Sequence, residues 1–183
     1  MSFSMNKCIA MLGNGSAGGK LANLLAHSGY DVCVGGRTVK TEGLSESVRP
    51  MPFQQAADAS EIVLSALPWS IKGEMVSVEV LKSLNGLEGK TIVDLTNPLH
   101  ADWSPLRLGE ENSAGEITAA ALPASHVVKA FNTIFAELMD AAKVAALPMR
   151  PLGLLCGESA EAKGMVTQIL ENVGFAAKDA GGI

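Results

Sequence analysis

The chain predicts an α/β fold: a doubly wound, mostly parallel sheet with helices on both faces. Three observations carry that prediction. Short apolar runs alternate with helix-period patterns from Cys8 to Lys178, as strands joined by crossover helices require. The run Glu61-Ile62-Val63-Leu64-Ser65-Ala66-Leu67 is apolar almost throughout, which suits a strand covered on both faces. Finally, the apolar run Cys8 to Leu12 leads into Gly13-Asn14-Gly15-Ser16-Ala17-Gly18 and then into Leu21, Leu24 and Leu25. That is strand, glycine turn and helix, in this order.

Length and composition set the outer bounds. A chain of 183 residues is one domain by size, taken as 1–183, and can bury a substantial core. The 48% apolar and 4% aromatic content belongs to an ordinary globular chain. A formal net charge of −5 argues against a nucleic-acid partner and leaves any anion to a local basic site. Cys8, Cys33 and Cys156 lie in strand-like apolar runs without paired spacing. They are expected to be buried, reduced thiols of a cytoplasmic protein, a redox role being the alternative. No apolar run reaches the length of about 18 residues needed to cross a membrane. Met1 to Lys7 is too short and polar for a signal peptide. The three histidines have no metal-ligand spacing, so no metal site is expected. Oligomeric state is left open, a homodimer included.

In the glycine turn each glycine has its own task. Gly13 permits the tight turn, Gly15 lets backbone approach a phosphate, and Gly18 lets the helix pack close to the strand. Gly13, Asn14, Gly15, Ser16, Ala17 and Gly18 are therefore expected to hold a pyrophosphate at the positive end of the helix. A plain strand–helix turn is the competing reading. The helix closes at Ser28-Gly29. Tyr30 to Val34 reads as the second strand and ends at Gly35-Gly36-Arg37-Thr38. A free ribose 2′-hydroxyl calls for Asp or Glu at this place. Here Gly36, Arg37, Thr38 and Lys40 precede the first acid, Glu42. A guanidinium beside a hydroxyl suits a 2′-phosphate, which favours NADP over NAD; a solvated loop arginine is the alternative.

Thr41 to Pro52 reads as loop around a short edge strand near Val48, and Phe53 to Ala59 as a turn or two of helix. The strand ending at Ala66-Leu67-Pro68-Trp69 crosses to the other side of the first strand, so Ala66, Leu67 and Pro68 should line the ligand crevice. Trp69 fits that crevice and a packed core equally well. Ile71 to Leu84 reads as helix and Thr91 to Leu95 as strand, stopping at Thr96-Asn97-Pro98-Leu99. Asn97 thereby offers an amide on the ligand edge. His100 to Gly115, with Trp103 and Arg107, is the longest polar stretch and is expected to act as a lid. Ser113 and Glu116 have capping-box spacing before a short helix at Ile117 to Leu122. His126 to Ala130 reads as strand, with Lys129 either solvated or aimed at an anionic ligand. Thr133 to Val144 reads as helix, Leu152 to Cys156 as strand, Ser159 to Val173 as helix and Phe175 to Lys178 as a last strand. The Tyr-x-x-x-Lys pair of short-chain dehydrogenases is excluded, because the one tyrosine is Tyr30 and residue 34 is Val.

Several of these segments follow one family's order: the Gly13–Gly18 turn, Val34-Gly35-Gly36-Arg37, Ala66-Leu67-Pro68-Trp69, Val93-Asp94-Leu95-Thr96-Asn97-Pro98-Leu99, Val127-Val128-Lys129-Ala130-Phe131-Asn132-Thr133, and Gly174-Phe175 with Asp179-Ala180-Gly181. The chain resembles the coenzyme F420-dependent NADP oxidoreductases, a Rossmann-fold family, and the related cytosolic NADPH-binding domain of the six-transmembrane metalloreductases. The resemblance implies pyrophosphate at Asn14, Gly15, Ser16 and Ala17, and a 2′-phosphate at Gly36 and Arg37, where the family commonly has Ser-Arg. It implies Asn97 and Ala130 beside the nicotinamide half. The second substrate, coenzyme F420, a flavin or another small redox acceptor, would stack near Pro98, Trp69 and the Lys129–Thr133 segment. Hydride transfer between stacked rings needs positioning more than acid–base chemistry. No catalytic acid or base is assigned, with His126 and Lys129 the candidates nearest the site. Family members usually continue into a terminal helix beyond the Asp-Ala-Gly segment, whereas this sequence stops at Ile183; either a late part of the acceptor site is absent or the sequence is cut short of it.

Overall fold

In the computed structural model the described residues are 8–70, 75–100, 104–105, 108 and 112–183. Eight strands form one sheet: β1 (Ile9–Leu12), β2 (Val32–Gly36), β3 (Val48–Pro52), β4 (Ile62–Ser65), β5 (Thr91–Asp94), β6 (His126–Ala130), β7 (Leu152–Gly157) and β8 (Ala176–Asp179). Their spatial order is β3-β2-β1-β4-β5-β6-β7-β8. All neighbours run parallel except β6 and β7. The first six strands therefore end on one edge of the sheet.

The apolar strands are buried on both faces. Every residue of β1, β4 and β5 is buried, because helices cover the sheet twice. On one face α1 (Ser16–His27) and α6 (Ala160–Asn172) set Leu21, Leu24, Leu25, Val166, Ile169 and Leu170 against Ile9, Met11 and Leu64. On the other, α2 (Phe53–Asp58) and α3 (Val76–Ser83) bring Ala56, Ala57 and Leu81 onto Ala10, Leu12 and Val63. Trp69 is 3% exposed and packs with Val78 of α3 and Ala114 of α4 (Ala114–Ala121). It is a core residue and offers no stacking surface, which corrects its expected place beside an acceptor.

Helix boundaries differ from expectation in three places. The helix expected from Ile71 starts at Val76, with Met75 as its non-helical flank (φ −75°, ψ 86°); residues 71–74 lie outside the described residues. The capping box is present, but it opens the helix at Ala114, ahead of the expected Ile117. The helix expected over Thr133 to Val144 is broken into a 3-10 turn (Ala136–Leu138) and α5 (Ala141–Ala146). Asp140 causes the break: its carboxylate accepts from the Lys143 N–H at 3.0 Å and restarts the helix as an N-cap. In the expected lid, Leu99 bridges Pro105 and the His100 N–H donates to the Ser104 carbonyl at 2.8 Å. Trp103 and Arg107 lie outside the described residues.

Candidate functional site

Strand order reverses between β1 and β4. From β1 the chain goes outward to β2 and β3, then returns to lay β4 on the other side. Crevices for ligands form at such a point, outside the carboxyl ends of the strands. The topology brings the sequence-predicted residues onto this one edge: Gly13–Gly18 after β1, Gly36–Lys40 after β2, Ala66–Pro68 after β4, Asn97–Pro98 after β5, and Ala130 at the end of β6.

The glycine turn has the geometry its sequence implies. Gly13 sits at φ +102°, and a Cβ there would lie 3.0 Å from the Ala66 carbonyl oxygen. A Cβ on Gly18 would lie 2.2 Å from the Gly13 carbonyl oxygen, so only glycine allows α1 to approach the turn this closely. Gly15 is the opposite case, since a Cβ there would meet nothing within 4 Å. Open space lies over its backbone, on the side a ligand would occupy. Gly15 is also the N-cap of α1 and supplies no side-chain hydrogen bond. The first intrahelical acceptor is Gly15 O, taken by the Gly19 N–H. The N–H groups of Ser16, Ala17 and Gly18 thus precede the intrahelical ladder and can serve an anion. A side-chain cap would stabilise the helix by about 1 kcal/mol. The wholly buried Leu21 and Leu25 contribute about 1.5–3 kcal/mol each, so α1 holds without one.

The loop after β2 is fastened to α1. The Asn14 amide donates to the Glu42 carbonyl at 3.2 Å, the Asn23 amide donates to Gly43 O at 2.7 Å, and Asn23 Oδ1 accepts from the Ser45 N–H at 2.8 Å. Arg37, Thr38 and Lys40 are exposed. Arg37 has no hydrogen bond or ion pair among the described residues, so its guanidinium is available. A Cβ on Gly36 would lie 2.7 Å from the Thr38 carbonyl oxygen. Any larger residue there would require the loop to shift. Asn23 and Glu42 are the pinning partners that sequence reasoning missed; no local pattern links them.

Across the crevice, Asn97 and Asn132 clasp each other. Asn97 Nδ2 donates to the Asn132 carbonyl at 2.9 Å, and Asn132 Nδ2 donates to Asn97 Oδ1 at 3.3 Å. Between Ala130 and Asn132, Phe131 adopts φ +63°, the only positive φ of a non-glycine residue among those described. The residue is 1% exposed, and that burial holds a backbone conformation rarely adopted by bulky residues. The turn swings Asn132 toward Asn97. Ala130 is wholly buried, so its side chain does not face the crevice and only its backbone is placed to contribute.

Lys129 is neither solvated nor aimed at a ligand. Its ammonium donates to Asp94 Oδ2 at 3.1 Å, to Thr96 Oγ1 at 3.2 Å and to the Thr96 carbonyl. Asp94, wholly buried, also accepts from the Thr96 N–H at 2.8 Å and from Thr118 Oγ1 at 3.1 Å. Burial pulls the Lys129 ammonium below the ordinary lysine range, and the Asp94 carboxylate opposes that pull. The network ties β5, β6 and α4 together beneath Asn97. His126 opens β6 at the opposite edge of the sheet, away from the crevice. Neither candidate acid or base is therefore available there.

Apolar surface lies past the end of β6. Leu155 of β7 pairs with Ala130, the last residue of β6, so Leu154 and Leu152 extend beyond the end of that strand. They are 38% and 54% exposed.

Residues 8–98 match the family described as NADP oxidoreductase, coenzyme F420-dependent. Metalloreductase STEAP3 of Rattus norvegicus is 33% identical over 177 residues, which are 96% of this chain and 34% of that protein. The chain thus spans about a third of the length of this curated relative. A candidate F420-dependent NADP reductase from Arthrobacter sp. FB24 superposes with a TM-score of 0.81 at 28% identity, over 95% of this chain and 84% of that one. A hypothetical protein from Sinorhizobium meliloti shares the fold, with a TM-score of 0.82 at 23% identity over 98% and 86% of the two chains. Through residues 8–98, carrying the glycine turn, Arg37 and Asn97, the chain belongs to the coenzyme F420-dependent NADP oxidoreductase family.

Proposed function

We propose that residues 1–183 act as one dinucleotide-binding domain that transfers hydride between NADPH and a deazaflavin, coenzyme F420, or a flavin-like acceptor. The observation that carries this reading is the glycine turn. Open space over Gly15 and three N–H groups ahead of the α1 ladder form a cradle that a pyrophosphate fits. The exposed Arg37 guanidinium, on the neighbouring strand's loop, suits a 2′-phosphate.

When bound, NADPH supplies the hydride. The protein's part is to bind and orient. Ser16, Ala17 and Gly18 N–H groups hold the pyrophosphate while Gly36, Arg37, Thr38 and Lys40 receive the 2′-phosphate. Ala66, Leu67 and Pro68 flank the crevice, and Asn97, fixed by Asn132, directs its edge. Pro98 and the exposed Leu152 and Leu154 offer a flat apolar acceptor a surface that excludes water. A cytoplasmic setting belongs to the same proposal, since it would keep the three free thiols reduced.

Steady-state oxidation of NADPH with coenzyme F420, FMN, FAD and ferric chelates tests the reading. Turnover with the deazaflavin or a flavin is the expected result. The same cradle also suits a second reading, an NADP(H)-binding module without turnover of its own. Tight NADPH binding with no turnover on any of these acceptors would establish the module and overturn the oxidoreductase.

A further inference from the structure

At the far edge of the sheet, opposite the crevice, two cysteines meet. Cys8 immediately precedes β1, and Cys33 lies in β2 opposite Ala10. Both point into the same apolar cluster. Their sulfurs are 3.2 Å apart and share a hydrogen bond, and both are free thiols. Arg49 reaches over from β3: its Nη2 donates to Cys8 Sγ at 3.5 Å and to both oxygens of Asp31 at 2.8 Å. The Arg49 and Asp31 side chains are 52% and 46% exposed, so solvent lies just outside the pair. Cys8 retains 9% of its surface, while Cys33 has none.

We propose that Cys8 and Cys33 form a peroxide-oxidisable dithiol, a reversible disulfide site remote from the dinucleotide crevice. The asymmetry of the pair assigns the roles. Arg49 donates to Cys8 alone of the two sulfurs and favours a thiolate there, while burial and the Asp31 carboxylate oppose it. The Cys33 S–H then donates to that thiolate. In keeping with this, the Cys33 hydrogen bond draws the Cys8 thiol below the ordinary cysteine range, and the same bond and burial push Cys33 upward. The Cys8 thiolate attacks one oxygen of hydrogen peroxide, the O–O bond breaks, and hydroxide leaves to give a sulfenic acid. Cys33 sulfur attacks Cys8 sulfur, the S–O bond breaks, and the Cys33 proton leaves with the hydroxyl as water. In total, two thiols and one peroxide give one disulfide and two waters. Closing the gap from 3.2 Å to a bond of about 2.05 Å joins diagonal neighbours across β1 and β2, since Cys33 faces Ala10, so the backbone at Cys8, ahead of the strand ladder, must move inward as the bond forms.

The test uses the unmutated chain. It is treated with a small excess of hydrogen peroxide, blocked with iodoacetamide, digested and examined by mass spectrometry. The expected product joins the Cys8 and Cys33 peptides, lighter than their sum by two hydrogens, and dithiothreitol reverses it. It should appear about tenfold faster than Cys156 is lost, since attack follows thiolate character, and burial raises the Cys156 thiol. Cys156→Ser should leave the product unchanged. Loss of Cys156 while Cys8 and Cys33 stay alkylatable would overturn the proposal. So would conversion of Cys8 to a sulfinic acid without a cross-link, or a bridge formed only between chains.

Discussion

Arg37 and Lys129 show how differently two basic residues on one ligand edge can be used. Arg37 is exposed and has no partner among the described residues, so its charge is available to an incoming anion. Hydrogen bonds to charged groups contribute about 1.5–3 kcal/mol, equivalent to roughly a ten- to hundredfold preference. Arg37→Ala is therefore expected to weaken NADPH by that factor and leave NADH nearly unchanged, as titration calorimetry would read. Equal affinities of the unmutated chain for both cofactors would show that Arg37 is only solvated. Lys129 is spent inside the fold. Lys129→Met leaves Asp94 buried and unpaired, a change of about 3–5 kcal/mol, measurable by urea denaturation. Its titration has a definite sign. Burial sets the folded-state value below the ordinary 10.5, so just below that pH the unfolded chain binds more protons. Stability contributed at this site then rises with pH through that window. Unfolding midpoints from about pH 9 to 10.5 should climb relative to Lys129→Met; parallel curves would refute the coupling.

Among the elements, β7 is the informative one. It runs against the first six strands, and its register against β6 carries Leu152 and Leu154 past the end of the parallel ladder. No periodicity in the sequence signals this, because antiparallel pairing is decided by how the preceding turn and α5 return the chain. Losing one such apolar contact is worth about 1.4 kcal/mol, or tenfold. Leu154→Asp is thus expected to raise KM for the acceptor about tenfold while the NADPH Kd stays constant. A change confined to NADPH would move the acceptor surface elsewhere. The broken helix after Thr133 has a similar lesson. Apolar spacing favours one continuous helix there, but the Asp140 carboxylate satisfies backbone donors locally and divides it.

For the molecule as a whole, the cradle draws on β1, β2, β4 and β5, so a bound dinucleotide should stabilise the fold rather than one loop. Ligand at a hundred times its Kd adds about 2.7 kcal/mol. The thermal midpoint is expected to rise with NADPH at that ratio, and NADH at the same concentration should raise it less. An identical rise with both would contradict a 2′-phosphate site at Arg37.

The eight strands and the glycine turn were legible because each is a local statement. Alternating apolar runs, a turn that needs Gly13 and Gly18, and a missing acid after β2 are all decided by residues near one another in the chain. The same locality made the edge shared by Gly13, Arg37, Ala66 and Asn97 predictable, since parallel strands joined by crossovers end on one side. Contacts between strands were not legible. Whether Lys129 faces water, a ligand or Asp94 depends on the register of β5 against β6, and whether Cys8 meets Cys33 depends on β1 against β2. Trp69, equally suited to crevice and core, was assigned only by α3 and α4 closing over it. Register and helix docking follow from the packing of the whole sheet, and no run of neighbouring residues contains that information.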